Sequence, residues 1–142
     1  MPPADAVKRG TQEMIAGMTP VLRDGAFVFC STADPDVLAD LLPSALATFR
    51  EDEGTSLILP LARAQEMGFE TGLPMRCISL HVYSALDGVG LTAAVASALS
   101  REAIPCNMVA AHYHDHVFVP ADQADLALAV LHALQQNAAA GA

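Results

Sequence analysis

Cys77-Ile-Ser-Leu-His-Val-Tyr-Ser84 opens the stretch that decides the fold. It continues through Leu86-Asp-Gly-Val-Gly-Leu-Thr92 and ends at His112-Tyr-His-Asp-His-Val-Phe-Val119. Apolar and polar residues alternate across 78–83, which is the period of a half-buried strand. The glycines of the second run mark a turn, and apolar residues then recur at helical spacing from Leu91 to Leu99. The stretch therefore begins as strand, glycine loop and helix.

Two short strands after that helix are predicted to form a hairpin with its tip at His114-Asp115, because they are too close together for any other connection. The other predicted segments include a turn at Pro20–Gly25 and a helix capped by Asp36. The last helix is expected to bury Leu126, Ala129, Val130, Ala133 and Leu134, with Leu128 and Leu131 widening the stripe. The predicted strands are Ala26–Ser31, Ser44–Phe49, Thr55–Leu59, Cys77–Tyr83, Cys106–Tyr113 and His116–Val119, and the predicted helices are Glu13–Met18, Asp36–Leu42, Leu61–Met67, Leu91–Leu99 and Ala121–Gln136.

The same order of strands and helices occurs twice along the chain. This order predicts an α+β, ferredoxin-like βαββαβ plan with antiparallel sheets and the helices packed on one face. We place the first half at residues 1–70, with 1–10 disordered, and the second at 71–142. Each half is one strand short, so we expect the halves to complete each other's sheets.

The composition of the chain limits the kinds of molecule that it is expected to bind. The 142 residues carry a formal net charge of -9, and 53% of them are hydrophobic. An acidic chain offers little positively charged surface to the phosphate groups of nucleic acid or anionic lipid. Neither nucleic acid nor membrane is therefore expected as a partner. Three cysteines without paired spacing indicate a reducing compartment, the cytoplasm. The high apolar content favours an oligomer, which we predict to be a homodimer.

The chain resembles the ACT-domain superfamily of small-molecule regulatory modules, and within it small bacterial proteins built as tandem ACT-like halves. The runs that carry the resemblance are Gly25–Cys30, Phe49–Gly54, Val89–Ala94 and Ala111–Pro120. The resemblance implies a regulatory role in sensing an amino acid or a related molecule. The sequence departs from the common ACT loop in one respect: the segment Asp87–Leu91 contains no proline.

The glycine loop is the first candidate ligand site, formed by Asp87, Gly88, Val89, Gly90, Leu91 and Thr92. Glycines leave backbone amides uncovered at a helix N-terminus, where a carboxylate is favoured, and Asp87 would hold an ammonium group beside it. Asn107, which opens the next strand, is expected to add a hydrogen bond. The alternative is that Asp87 caps the helix and the glycines only permit the turn.

A second loop is predicted to cover the ligand. The charged turn Arg50–Gly54 would direct Glu53 and Thr55 into a cleft at the junction of the halves, which is a favoured position for ligands. The alternative is an ordinary solvated turn.

The run His112-Tyr-His-Asp-His116 suggests two further chemistries. Histidines at alternate positions are similar to the motif of histidine-triad nucleotide hydrolases, although Asp115 does not fit that motif. His112, His114 and His116 are also candidate metal ligands, with Cys106 or His81 as a fourth. The alternative is a polar hairpin with exposed histidines. No catalytic role is expected for Cys30, Cys77 or Cys106.

Three hypotheses follow for function. The preferred one is a non-catalytic ACT-type module that binds a small polar ligand, an amino acid, and needs no cofactor. The second is a metal-dependent or histidine-triad-like hydrolase that uses the His112–His116 run. The third is a protein-interaction module without a ligand.

Overall fold

The computed structural model describes residues 10–82 and 88–141, which fall into two compact units. The central unit is Asp24–Met75, and the terminal unit combines the chain through Arg23 with the chain from Arg76 onward. The elements in chain order are α1 (Thr11–Gly17), β1 (Thr19–Leu22), β2 (Phe27–Thr32), α2 (Pro35–Leu41), β3 (Ala47–Arg50), β4 (Thr55–Pro60), α3 (Leu61–Glu66), β5 (Met75–His81), α4 (Leu91–Arg101), β6 (Asn107–Ala110), β7 (Asp115–Pro120), a 3-10 turn (Ala121–Gln123) and α5 (Ala124–Ala140). No helix within the described residues is long and apolar enough to cross a membrane.

The central unit is an antiparallel sheet with strand order β3-β4-β2 and two short helices on one face. Met75, the first residue of β5, pairs with Phe27 at the start of β2. Alternate residues of β2 and β4 point to the helix side, where they form the core of the unit. This core contains Val28, Leu41, Leu57, Leu59 and Ala64.

The terminal unit has the strand order β1-β5-β7-β6. β1 pairs antiparallel with β5, and β6 pairs antiparallel with β7. Helix α4 connects β5 to β6, and β7 lies between those two strands. This is the split-βαβ arrangement of a ferredoxin-like fold. The strand that would follow the second helix of that fold is supplied here by β1 from the N-terminal segment.

The expectation that the halves complete each other's sheets is met in one direction, because β1 lies before the predicted boundary at residue 70 and pairs with β5 beyond it. The sequence of β1 was wrongly read as the turn Pro20–Gly25. In the structure Pro20 pairs with Leu80 inside the β1–β5 ladder. Proline is compatible with an edge strand because its missing N–H can face away from the neighbouring strand.

The core of the terminal unit lies between the helices and one sheet face. Its buried members are Met14, Ile15, Met18, Ile78, Leu80, Val82, Leu91, Val95, Leu99, Ile104, Val117, Val119, Ala124, Ala127 and Leu131. The antiparallel α+β architecture predicted from the sequence is thus present, and α1 contributes to this core together with α4 and α5.

The predicted stripe on the last helix was wrong at Leu126, Ala129 and Ala133, which are exposed, and right at Leu131, which is buried. Leu126 is 49% exposed, whereas Ala124, Ala127 and Leu131 are the buried residues of α5. A helix made largely of alanine and leucine is apolar on several faces, so periodicity alone selects no single stripe. Leu128, Val130 and Leu134 do pack against the core.

Candidate ligand-binding site

A cavity of about 330 Å³ lies in the central unit, between the β2–α2 connection and the β3–β4 hairpin. Its walls are Thr32, Ala33, Asp34, Pro35, Leu38, Arg50, Glu51, Asp52, Glu53, Gly54 and Thr55. The cavity brings four carboxylates and one guanidinium to a partly apolar surface. Its volume is at the lower end of the range for small-molecule sites, roughly 300 to 1,000 Å³.

The first wall is fixed by the cap of helix α2. The Asp34 carboxylate accepts hydrogen bonds from the backbone N–H of Asp36 at 2.9 Å and of Val37 at 3.4 Å. Thr32 Oγ1 accepts a further bond from the Asp34 N–H at 3.2 Å. The prediction that Asp36 caps this helix was wrong, because Pro35 takes the first helical position and the residue before it becomes the cap.

The second wall is the tight turn between β3 and β4. The backbones of Glu51 and Gly54 exchange hydrogen bonds of 2.9 and 3.3 Å, which leaves Asp52 and Glu53 at the tip. Ser56 donates a hydrogen bond to the Glu51 carboxylate. Two acidic side chains are thus held at the tip of a short, ordered hairpin.

Gly54 joins the two walls. Its φ is +151°, and a Cβ at this position would lie 2.8 Å from the carbonyl oxygen of Thr32. Only a residue without a side chain permits this close approach of two backbones. The shape of the cavity therefore depends on Gly54.

The cavity contains two of the residues predicted from the sequence, Glu53 and Thr55. The residues that sequence reasoning missed are those of the Thr32–Leu38 wall, together with Arg50 as a wall residue. The available signal was the Asp34-Pro35 pair directly after a strand, because an aspartate followed by proline is typical of a capped helix start. A direct contact of Glu53 or Thr55 with a ligand stays a prediction.

The glycine loop lies in the terminal unit, at the N-terminus of α4. Gly90 precedes the helix with φ +103°, so a glycine is favoured there. Thr11, the first residue of α1, donates its hydroxyl hydrogen to the carbonyl oxygen of Val89. A Cβ on Gly90 would lie 2.5 Å from Thr11 Oγ1. A bulky substitution at Gly90 would therefore disturb the packing of α1 as well as any ligand site.

The other predicted loop residues are divided between core and surface. Leu91 is buried in the core, Val89 is 75% exposed, and Thr92 is exposed in the first turn of the helix. Gly88 is half-buried. Asp87 lies outside the described residues. Ligand binding by this loop stays a prediction.

Asn107 lies away from the glycine loop within the terminal unit. It opens β6 and pairs with Phe118 near the end of β7, whereas the described part of the loop contacts Thr11 at the start of α1 through the Val89 carbonyl. No hydrogen bond joins Asn107 to the loop among the described residues. The proposed contact of Asn107 with the same ligand stays a prediction.

The histidine run bends at a position different from the one predicted. The N–H of Ala111 donates to the carbonyl of His114 at 3.0 Å, so the turn is Ala111–His114 and the tip is His112-Tyr113, not His114-Asp115. His112 packs edge-on against Tyr113 in this turn. The three histidines therefore do not lie on one straight strand, and no group of three His, Cys, Asp or Glu within 10–82 and 88–141 has the arrangement of a metal site.

His114 and His116 instead meet two residues of β5. The Ser79 hydroxyl lies 2.8 Å from His116 Nδ1. The rings of His81 and His114 stack with centroids 5.0 Å apart. Burial and the nearby cations Arg23, His114 and His81 lower the pKa of His116. A lowered pKa favours the neutral imidazole near pH 7, and in that form Nδ1 pairs with the Ser79 hydroxyl as acceptor or as donor according to the tautomer.

The cysteine thiols show no sign of activation. Burial raises the pKa of Cys30, Cys77 and Cys106, and hydrogen bonding to Ser79 and the charge of Arg23 only partly offset this effect at Cys77. A raised pKa keeps a thiol protonated and poorly nucleophilic.

Comparisons with known proteins agree with this architecture. Sequence models of the ACT domain match residues 10–76 and residues 73–133. No curated protein sequence matches the chain. A solved protein of unknown function from Vibrio cholerae, described as a possible transport protein, is 38% identical; the match covers 87% of this chain and 94% of that one, with a TM-score of 0.78.

Two more distant structures share the fold. A protein from Agrobacterium tumefaciens is 20% identical over 83% of this chain and 89% of that one, with a TM-score of 0.62. The regulatory subunit of aspartate kinase from Thermus thermophilus, in its ligand-free form, is 12% identical over 81% of this chain and 95% of that one, with a TM-score of 0.59.

The two matched ACT-domain segments follow one another along the chain, and each consists of α+β structure. The chain belongs to the ACT-domain family. ACT domains are typically regulatory modules for small ligands rather than catalysts. The boundary predicted after residue 70 stays a prediction.

Proposed function

We propose that this chain is a non-catalytic regulatory module that binds an amino acid or a similar small polar molecule. The observation that carries the proposal is the cavity of about 330 Å³ in the central unit. It is built on an ACT-type fold, between a capped helix start and a tight hairpin. Of the residues predicted from the sequence, Glu53 and Thr55 line this cavity, which supports their proposed contact with the ligand.

The charges of the cavity favour a ligand with both an ammonium and a carboxylate group. Glu51, Asp52 and Glu53 offer carboxylates to an ammonium group, and Arg50 offers a guanidinium to a carboxylate. Asp34 is already occupied by the amides of its own helix. Thr32 and Thr55 supply hydroxyl groups for orientation.

Regulation by such a ligand requires two conformations with different affinities. The hairpin and the β2–α2 connection meet through Gly54, so closure on a ligand would move both walls together. The glycine loop Asp87–Thr92 is retained as a second predicted contact region, and Asn107 as a separate predicted contact. A ligand at the loop would lie beside the Thr11 side chain.

We also propose that the chain forms a homodimer. The sheet face of the central unit opposite its helices presents Phe49, which is 72% exposed, and Phe29, which is 45% exposed. Large exposed aromatic groups on one sheet face are typical of interaction surfaces. Sedimentation velocity should give a dimer for the native chain and a weakened dimer for Phe49→Ser; a native chain that is monomeric at micromolar concentration would contradict this part of the proposal.

The experiment for ligand binding is a thermal-shift screen of the full chain against the twenty amino acids, followed by calorimetric titration of any hit. A ligand at 100 times its dissociation constant stabilises the folded protein by about 2.7 kcal/mol. This raises the unfolding midpoint by roughly 5 to 10 °C for a domain of this size. We expect one amino acid or a small group of them to give such a shift.

Variants locate the binding site. Glu53→Gln and Arg50→Gln should each lower the affinity for that amino acid about tenfold or more, because each removes one charged partner. Glu70→Gln, an exposed carboxylate outside the cavity, is the matched control and should bind normally. If no amino acid shifts the midpoint, the ligand class is wrong; if the cavity variants bind as the control does, the site is wrong.

A further inference from the structure

The sheet face of the terminal unit that lies opposite its helices carries an unusual set of side chains. Strand registers place Thr19, Val21, Cys77, Ser79, His81, His114, His116, Phe118, Asn107 and Val109 on this face, and Arg23 follows β1 beside Cys77. None of these described positions is Asp or Glu. We call this set the outer face.

The outer face concentrates groups that are or can become cationic. Three of the five histidines of the chain lie on it, together with Arg23, although the chain as a whole has a net charge of -9. Arg23 and His81 are exposed, and His114 and His116 are half-buried. At these described positions the outer face carries basic groups and no carboxylate, although Cys77, Ser79 and Phe118 in its middle are buried and solvent reaches only its exposed part.

The side chains of this region are held in place by contacts with their neighbours. The Ser79 hydroxyl lies 2.8 Å from Nδ1 of His116, so the contact that we propose for this ring is made by Nε2. His114 Nδ1 lies 3.4 Å from the carbonyl of Val82, and its ring stacks on His81. Arg76 donates to the backbone carbonyl of Arg23 at 2.8 Å, which anchors the Arg23 segment.

We propose that the outer face binds a small oxyanion, a carboxylate or a phosphate group, through Arg23, His81 and His116, with His114 positioning His81. The guanidinium supplies a permanent charge, and each imidazole supplies a donor whose strength increases on protonation. Binding is therefore coupled to proton uptake. This site is separate from the cavity of the central unit and does not depend on the proposed function.

The surroundings of His116 explain why an anion is favoured. Within residues 10–82 and 88–141, the charged groups that act on His116 are Arg23 after β1, His114 before β7 and His81 on β5. Its partner on β6, Val109, carries no charge, and the adjacent Asp115 carboxylate interacts with His114. The nearby cations oppose protonation of His116, and so does burial. An oxyanion between them offsets the repulsion and stabilises the protonated ring.

The test is an NMR titration of the histidine rings of the full chain in sulfate, acetate or chloride at equal ionic strength. Sulfate and acetate both stay ionised between pH 6 and 8, and they distinguish phosphate-like from carboxylate binding. We expect one of them to move the pKa of His116 upwards by about one pH unit or more, as an opposite charge at close range does. The exposed His132 on α5 should shift far less.

Two variants make the test specific. Arg23→Gln should remove the anion effect at His116, whereas Arg101→Gln, an exposed arginine at the end of α4, should leave it unchanged. Unfolding midpoints in chloride verify that both variants fold. The proposal is wrong if His116 titrates alike in all three salts, or if the anion effect persists in Arg23→Gln.

Discussion

Gly54 shows how one residue controls the candidate site. Its φ of +151° is rarely adopted by other residues, and a Cβ there would contact the backbone of Thr32. We expect Gly54→Ala to lower the free energy of unfolding by about 1 to 3 kcal/mol, because neither backbone segment can move aside cheaply. Urea denaturation measures this difference.

Gly72 provides the matched control for Gly54. A Cβ at Gly72 meets nothing within 4 Å, and its φ lies outside the left-handed region. Gly72→Ala should therefore change stability by only a few tenths of a kcal/mol, or increase it slightly. Equal losses for the two variants would show that the contact of Gly54 with Thr32 is not what constrains the hairpin.

At the scale of an element, helix α2 tests the corrected cap. Asp34 accepts two backbone hydrogen bonds and Asp36 only lies in the first turn. Asp34→Ala should cost about 1 kcal/mol, and Asp36→Ala should cost no more than about 0.5 kcal/mol, since it loses only a dipole interaction. If urea denaturation showed a larger loss of stability for Asp36→Ala than for Asp34→Ala, Asp36 would be supported as the cap instead.

Helix α5 allows a similar test of which face is buried. Leu131 is fully buried, whereas Leu126 is half-exposed. Leu131→Ala should lower the free energy of unfolding by about 2 to 5 kcal/mol through the lost contacts and the cavity left behind. Leu126→Ala should cost well under 1 kcal/mol. A large loss at Leu126 instead would mean that this residue is buried in an assembly of several copies.

The elements also show what the sequence can and cannot predict. Strands β2, β4, β5 and β7 were predicted because their apolar runs are long and bounded by turn residues. Strand β1 was missed because it has four residues and a proline, and its identity as a strand comes from pairing with β5. Such non-local pairing has no signature in the segment itself.

For the whole molecule, the class of fold followed from the repeated order of elements, but the distribution of the site residues did not. Glu53 was predicted at a ligand site and does line the cavity. The opposite wall and the meeting of the histidine run with Ser79 and His81 depend on tertiary contacts. Residues that are far apart in the chain, such as Thr11 and Val89, are brought together only by the packing of helices.

The pH dependence of the stability of the whole chain is the last prediction. Burial and neighbouring cations lower the pKa of folded His116 below its ordinary value of 6.5. As the pH falls from 6.5 through the folded pKa, the unfolded chain binds more protons at this residue, so the free energy of unfolding decreases. Above pH 6.5 the contribution of His116 to stability is fully present.

Two other groups act at the ends of the pH range. Burial raises the pKa of Cys77 above 9.0, so the contribution of Cys77 to the free energy of unfolding is lost as the pH rises through its folded pKa. Burial also raises the pKa of Asp115 above 3.8. The Asp115 contribution is complete below pH 3.8 and lost as the pH rises through its folded pKa, which opposes the trend of His116 where the two ranges overlap.

Urea denaturation from pH 8 to pH 5 should therefore show a smaller decrease for His116→Gln than for the native chain, whereas His132→Gln should follow the native curve. Parallel curves for the native chain and His116→Gln would mean that His116 titrates alike in the folded and unfolded states.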